Sequence, residues 1–409
     1  MEEKVLNKVR EMVRKLKTIE DGFYANKFAD IEPEDIKSLG DFQKLPYTRK
    51  AELREAYPLG IMACEEDEIV RIHSSSGTTG TPVIIPYTQK DIDDWTEMFR
   101  RCYEYAGTTK MDRVHITPGY GLWTAGISFQ AGAEALGAMA IPMGPGNTEK
   151  QLKFMMDMKS TVLCSTSSYA LLLAEMIEER GIRDKIHLKR ALIGSERWGE
   201  KMRKRISDTL GAKLYDIYGL TEIYGPGVAI SCDYENGMHY WDDYFYFEIV
   251  DPNTGEVLPF GETGELVITT LEKVGAPLIR YRTHDITRFV NGTCPCGSNF
   301  PRIATLTGRT DDMFKVKGVN MFPAQVEEVM KHIKGVCSEY QVMIDHLNGR
   351  DILTLYFEAE KDYDKGNLEN QVGINFKNKI GISIYPKAVN IGDLPRSEKK
   401  TNRIFDNRY

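Results

Sequence analysis

QLKFMMDMK (Gln151–Lys159), TVLCST (Thr161–Thr166), SYALLLAEMIEERG (Ser168–Gly181), RALIGSE (Arg190–Glu196), KMRKRISDTLG (Lys201–Gly211) and KLYDIYG (Lys213–Gly219) follow one another in the chain. The long members carry apolar residues at helical spacing, and the short ones are apolar runs of strand length. Helix and strand in alternation, with strands apolar on both faces, predict a βαβ sheet covered on each side. The alternation reaches back to about Asp91 and stops at Tyr218. Beyond it GMHYWDDYFYFEIV, DPNTGEV, GELVITTL and PLIRYRTHDITRFV read as short strands with turn signals, an antiparallel or barrel-like layer attached to the first. The C-terminal stretch changes again: FPAQVEEVMKHI as a helix, YQVMID and DILTLYFEAE as strands, a long helix through NQVGINFKNKIG and a final strand SIYPKAVNI. The expected fold class is α/β, with residues 1–310 as a large domain of α/β sheets plus a β-barrel-like layer and 311–409 as a small α+β domain.

A chain of 409 residues is too long for one ordinary core. It is 42% hydrophobic and 28% charged, with a net charge of -7 and no basic stripe, which argues against nucleic acid as its main partner. The opening MEEKVLNKVREMVRKLK is charged throughout, with Val5, Val9, Met12, Val13 and Leu16 at helical spacing. It predicts an amphipathic surface helix and not a signal peptide. No apolar run approaches the ~18 residues of a membrane span. Seven scattered cysteines, an odd number, argue against a disulfide framework and for a reducing cytoplasm.

SSSGTTGTPVIIPYT, Ser74 to Thr88, offers hydroxyls and backbone N–H groups with no bulky side chain to keep a ligand away, which suits phosphate oxygens. It is not a Walker A loop: no lysine follows Gly80, and Thr81-Pro82 leads into an extended run. The loop is therefore expected between two strands. A plain Ser/Gly linker is the competing reading. A second glycine-bearing loop, YGLTEIYGPGVA, follows KLYDI, and Glu222 beyond the end of that strand is placed to hold Mg²⁺ against phosphates. The other reading of Glu222 is a surface glutamate.

With YRTHD (Tyr281–Asp285), TGRTDDMFKVKGVNMFPAQVEE (Thr307–Glu328) and PRSEKKTNR (Pro395–Arg403), these loops form an ordered set. Here the chain resembles the adenylate-forming superfamily of acyl-CoA ligases, nonribosomal adenylation domains and luciferases. More narrowly it resembles the phenylacetate-CoA ligase family, through TPGYGLWTAGISFQAGAEALGAMAIPMGPGNTEKQ, GSERWGEKMR and YGLTEIYGPGVA. The resemblance covers essentially the whole chain. It implies the adenylate-forming enzyme fold and an AMP-forming aryl-acid coenzyme A ligase using ATP, Mg²⁺ and CoA: acid and ATP give acyl-AMP and pyrophosphate, and the CoA thiol then takes the acyl group. The alternatives are an adenylating enzyme that loads a carrier-protein phosphopantetheine, and a non-catalytic nucleotide-binding relative.

By the resemblance, Ser74, Ser75, Ser76, Gly77, Thr78, Thr79, Gly80 and Thr81 wrap the β- and γ-phosphates, and Lys400 bridges carboxylate and α-phosphate as the catalytic lysine. Thr221 bonds phosphate and Glu222 takes Mg²⁺. Asp285 accepts the ribose hydroxyls, Arg309 assists at ribose and phosphate, and Tyr218 stacks on adenine beside Ser195 and Glu196. Asp216 and Gly219 complete the nucleotide site. The family's P-R-S-E-G-K is PRSEKK here, so Lys399 stands at the glycine and remains an alternative for the catalytic role. Tyr120, Trp123, Ser195, Gly219 and Pro226 are the candidate acyl pocket, with Trp123 where relatives commonly have Phe and so expected to shorten or reshape the pocket floor. Asp311 is the expected hinge, and Lys317 with Gly318 the expected lining of the CoA tunnel. Sequence leaves the assembly open, a homodimer included.

Cys232 and His239 in SCDYENGMHYWDD, with Cys294 and Cys296 in GTCPCGS, make a Cys₃His set suited to tetrahedral zinc. The C-x-C spacing is tighter than the usual C-x₂-C, and four ordinary reduced residues are the other reading.

Overall fold

The computed structural model describes residues 2–75, 81–196, 198–317, 319–347, 350–396 and 402–408. The chain divides into two compact units, one of Met1–Gly144, Thr161–Cys164 and Tyr215–Thr305, the other of Pro145–Ser160, Ser165–Leu214 and Leu306–Tyr409. The helices within 165–214 group with the C-terminal segment.

In the first unit the helix Glu2–Lys17 turns Val5, Leu6, Val9, Val13 and Leu16 inward, as its spacing predicts, onto Tyr24, Phe28, Phe42, Leu271 and Ile279. Strand Arg113–Ile116 pairs in parallel with Met139–Pro142 and with Val162–Cys164, the arrangement expected of βαβ units. The helices Gln89–Tyr105 and Ala125–Leu136 pack so closely that a Cβ on Gly132 would lie 2.4 Å from Phe99 Cβ.

The antiparallel strands divide between the main sheet and the expected separate layer. Gly225–Ser231 pairs directly with the strand Lys213–Leu220, then with Met238–Tyr240, which meets Arg302–Ile303. These strands thus continue the sheet of KLYDIYG instead of forming an attached layer. A separate antiparallel sheet runs Phe245–Val250, Gly264–Thr270, Tyr281–Thr287. DPNTGEV is a turn, not a strand. Asp251 Oδ1 accepts the backbone N–H groups of Asn253 (2.8 Å) and Thr254 (2.9 Å), Gly255 sits at φ 77°, and a single bridge joins Val250 to Val257. Asp, Asn and Gly side-chain and left-handed chemistry overrides strand pairing there.

The N-terminal arm is stitched to the strand Tyr281–Thr287. Thr48 N–H donates to Arg280 O and accepts, through its own carbonyl, from Arg282 N–H, each at 3.0 Å, in a parallel bridge to Tyr281. That register sets where the next helix, Lys50–Glu55, begins.

The second unit contains helices Ser167–Glu179 and Glu200–Leu210 with strand Arg190–Gly194, and the C-terminal α+β segment. In that segment Val336–Leu347 and Arg350–Ala359 form a long antiparallel pair, flanked in parallel by Ile404–Asp406 and Tyr385–Asn390. Its core gathers Val316, Met321, Val326, Val342, Leu355, Phe357, Val372 and Phe376. Within this unit the helix Glu200–Leu210 meets it: Lys201 Nζ donates to the carbonyls of Ile333 (2.8 Å) and Val336, and Lys331 pairs with Glu200 at 2.9 Å. Arg396 is clasped between Glu175 and Glu358. Among the described residues no helix is long and apolar enough to cross a membrane.

Candidate active site

Residues alternate along Lys213–Leu220, so Asp216 and Tyr218 share a face. Tyr218 Oη donates to Asp285 Oδ2 at 2.7 Å, and both residues are buried. Asp285 N–H in turn donates to Thr283 Oγ1 (3.0 Å), next to His284, which is held at φ 67°. A non-glycine residue in the left-handed region carries strain that the surrounding strand pairing must hold. Asp216 N–H donates to Ser231 Oγ (2.9 Å). Gly219 is required by packing: a Cβ there would lie 2.0 Å from Gly225 O across the turn. Thr221 is half-buried. Glu222 is 4% exposed, with Oε1 2.8 Å from Lys50 Nζ, yet among the described residues no donor meets that oxygen in hydrogen-bonding geometry.

Behind the turn lies a buried lysine. Lys273 Nζ donates to Ile223 O and sits 4.6 Å from the ring centres of both Tyr87 and Tyr224. Burial pulls its pKa down to about 7, against the opposing pull of Asp91 and Glu222. Such a site favours the neutral amine.

At the Ser/Thr/Gly-rich loop, Ser74 and Ser75 are described and Thr81 is exposed; Ser76, Gly77, Thr78, Thr79 and Gly80 lie outside the described residues. The loop lies between antiparallel strands Ile69–Ser74 and Ile84–Thr88. Its base is pinned by Ser75 N–H to Val83 O and Val83 N–H to Ser75 Oγ, both 2.9 Å, and by Ser74 N–H to Leu122 O, also 2.9 Å. His73 stands beneath it, Nδ1 3.2 Å from Leu122 O and its ring edge-on to Tyr87 and Trp95. Burial pushes its pKa down to about 4, so the ring is neutral near pH 7. Of the candidate acyl-pocket residues in this unit, Tyr120 is half-buried with a hydroxyl that meets no partner among the described residues, and burial raises its pKa. Trp123 is 46% exposed, and Pro226 O accepts from Trp95 Nε1 (2.9 Å).

In the second unit Ser195 is held at φ 70°. Glu196 Oε2 accepts from Ser167 Oγ (3.0 Å) and Ser168 N–H (2.9 Å), so this carboxylate sits at the amino end of the helix Ser167–Glu179, where the helix dipole favours it. Arg309 makes a bidentate pair with Asp311 (2.8 and 2.9 Å), tying the expected ribose contact to the expected hinge. Lys317, at φ 51°, donates from Nζ to Ser383 O (2.7 Å). Gly318, Lys399 and Lys400 lie outside the described residues.

The four thiol and imidazole ligand atoms of Cys232, His239, Cys294 and Cys296 lie within 4.8 Å of one another. Cys232 Sγ is 3.5 Å from Cys294 Sγ, and Cys296 Sγ is 3.4 Å from His239 Nε2. The sulfur–sulfur separation is far beyond a disulfide, and both separations lie near the roughly 3.5–3.8 Å edges that Zn–S bonds of ~2.3 Å and Zn–N bonds of ~2.0 Å give a tetrahedron. His239 Nδ1 lies 3.0 Å from Phe300 O, so that nitrogen carries the proton and Nε2 presents its lone pair to the cluster. Burial lowers the pKa of His239, keeping the ring neutral.

Residues 8–271 match the AMP-binding enzyme model, and 318–408 match the AMP-binding enzyme C-terminal domain. Phenylacetate-coenzyme A ligase of Pseudomonas putida is 41% identical over 94% of this chain and 89% of its own. The chain belongs to the phenylacetate-CoA ligase family. The corresponding ligase of Escherichia coli (strain K12) is 40% identical over 94% of this chain and 90% of its own. Among solved structures, 2-hydroxyisobutyryl-CoA ligase in the postadenylation state with 2-HIB-AMP superposes at TM-score 0.89, with 26% identity over 99% of this chain and 89% of that one. The same enzyme in the thioesterification state, with 2-HIB-AMP and CoA, superposes at 0.71, with 27% identity over 100% of this chain and 90% of that one. The chain therefore has the adenylate-forming fold and is an AMP-forming acid–thiol ligase. Lys50, His73 and Lys273 escaped the reading of the ligase's sequence. Each is a lone residue outside the motifs, and only tertiary packing brings it to the site.

Proposed function

We propose that this ligase activates an aryl or otherwise apolar monocarboxylic acid of the phenylacetate type, releasing pyrophosphate, and then delivers the acyl group to coenzyme A. The observation that carries the site is the buried Tyr218–Asp285 hydrogen bond. An ionised carboxylate on the face of that sheet has lone pairs left for two ribose hydroxyls. The attack at the α-phosphorus is in line, so the protein's part is positioning and charge neutralisation. Lys400 supplies positive charge at the α-phosphate, with Lys399 the alternative, and Ser74–Thr81 hold the outer phosphates. Arg309 serves the ribose once its pair with Asp311 opens. Tyr120, Trp123, Ser195, Gly219 and Pro226 line the acyl pocket. The relatives named for phenylacetate support this substrate class, and so does the aromatic character of Tyr120 and Trp123.

A buried carboxylate oxygen without a hydrogen-bond donor, as on Glu222, fits a hard cation. Glu222 with Thr221 would hold Mg²⁺, which when bound screens the triphosphate. The Cys232, His239, Cys294 and Cys296 set holds one structural Zn²⁺, a reading supported by the ligand spacing and the oriented imidazole. All seven cysteines are unpaired, which supports a cytoplasmic setting. Residues 311–409 act as a lid hinged at Asp311 that carries Lys400 in for adenylation and Lys317 with Gly318 in for thioester formation.

A panel of aryl and short-chain acids, assayed for acid-dependent pyrophosphate release with and without CoA, tests the reading. Lys400→Ala should cut pyrophosphate release by ~10² or more, the scale of one lost electrostatic stabiliser, and spare thioester formation from supplied acyl-AMP. Equal loss in both half-reactions would overturn the assignment, and the same pattern in Lys399→Ala would move it by one residue.

A further inference from the structure

The N-terminal arm brings a cation to the adenylation site that none of the motif residues accounts for. Thr48 is locked onto the strand carrying Asp285 by two backbone hydrogen bonds of 3.0 Å. Two residues later, at the first position of helix Lys50–Glu55, the Lys50 ammonium lies 2.8 Å from Glu222 Oε1. The partners differ in burial. The Glu222 side chain is 5% exposed and Lys50 is 32% exposed, so the carboxylate is fixed and the lysine has open space to move into. A neighbouring pair, Lys27 with Glu52 at 2.7 Å, helps hold the short helix to the arm.

We infer that Lys50 is a second lysine of the adenylation site, which neutralises Glu222 while no metal is bound and turns onto the anionic oxygens of the nucleotide once Mg²⁺ takes that carboxylate. The inference rests on the reading of Glu222 as the magnesium ligand. A buried carboxylate without a cation is costly, and an ammonium on it offsets that cost. The same oxygen cannot serve lysine and metal at full strength, so metal entry must displace the ammonium. A four-carbon stem anchored at a fixed helix start leaves the freed charge within a few ångströms of wherever the metal carries the phosphates. Lysine is suited to this exchange: it is a compact point charge with rotatable donors, where arginine would hold the carboxylate in a rigid bidentate fork.

Two affinities should therefore move in opposite directions in Lys50→Met. ATP binding by calorimetry in EDTA should weaken by about tenfold, because the Glu222 carboxylate, stripped of its counter-charge, then repels the triphosphate. The Mg²⁺ concentration giving half-maximal pyrophosphate release at saturating ATP should fall severalfold, because the metal no longer competes with an ammonium. Lys50→Arg should restore ATP binding in EDTA and raise the Mg²⁺ midpoint above wild type. A residue that only props up the helix would lower the melting temperature and shift both affinities the same way. That result, or wild-type values for both, overturns the proposal for Lys50 alone. A wild-type enzyme that binds no ATP would remove the adenylation reading and this one with it.

Discussion

Replacing Glu175 with glutamine weakens the tie between helix Ser167–Glu179 and the C-terminal segment, along with the looser Arg205–Glu175 pair at 3.3 Å. Arg396 gives Glu175 two bonds of 2.8 Å, from Nε and Nη2, and gives Glu358 two more, of 2.9 and 2.8 Å. Glu358 is fully buried and also accepts from the N–H groups of Gly392 (2.9 Å) and Leu394 (3.3 Å), so it belongs to the C-terminal fold itself. Under the proposed hinge at Asp311, Arg396 and Glu358 travel together, and of this clasp's bonds those to Glu175 are the ones made and broken. The side chains of that pair are 10% and 18% exposed, so its worth lies toward the upper range for charge-assisted bonds. Removing the charge while keeping one acceptor leaves a loss of about 1.5 kcal/mol, roughly tenfold in an equilibrium that forms the clasp. Arg396 stands four residues before Lys400, so the clasped state is the one expected to present that lysine. Acid-dependent pyrophosphate release in Glu175→Gln should slow by up to about tenfold. Thioester formation from supplied acyl-AMP and CoA should hold or quicken. Rapid-quench measurement of each half-reaction separates them. Equal slowing of both, or an effect on neither, would refute the argument.

Asp285→Asn should raise the KM for ATP by about tenfold or more with little change in melting temperature, because asparagine still accepts from Tyr218 while a charged acceptor is lost; an unchanged KM would count against the ribose role. Protein purified without added metal should contain about one zinc per chain by elemental analysis, and a chelator should lower its melting temperature before nucleotide binding suffers; metal-free protein of normal stability would remove the zinc site. Lys273 is pulled down to about 7 by burial, whereas in the unfolded chain it titrates near ~10.4. Between those values the unfolded state holds the extra proton, so this group makes stability rise with pH across that window. Lys273→Met should flatten the rise in urea midpoint from pH 7 to 10, and a slope that survives the substitution would contradict the assignment.

Much of the fold was legible because it rests on local periodicity. The amphipathic spacing of Val5, Val9, Val13 and Leu16 and the alternation from Gln151 to Gly219 both carried through to the elements observed. DPNTGEV misled because its apolar ends look like a strand while its Asp, Asn and Gly favour a turn that uses side-chain acceptors. The strand Ile404–Asp406 was missed because three residues carry too little pattern to stand out. At the candidate site, motifs single out Tyr218 and Asp285 but not their mutual hydrogen bond, since neither residue's surroundings name the other. Lys50 was invisible for a stronger reason: its meaning comes from the pairing of Thr48 with a strand far along the chain.

The contacts that helix Glu200–Leu210 and helix Ser167–Glu179 make with the C-terminal segment differ in what they demand of inheritance. Lys201 reaches the main-chain carbonyls of Ile333 and Val336, acceptors that any sequence provides at those positions. Arg396 instead requires a carboxylate at position 175, supplied from outside the segment. A C-terminal segment exchanged between relatives would bring Arg396 and Glu358 with it and take residue 175 from its host. Chimeras should therefore tolerate wide divergence under the lysine, while compatibility turns chiefly on the half-buried acidic side chain at 175, the Glu200–Lys331 pair being more exposed, and the two positions 175 and 396 should drift as a pair.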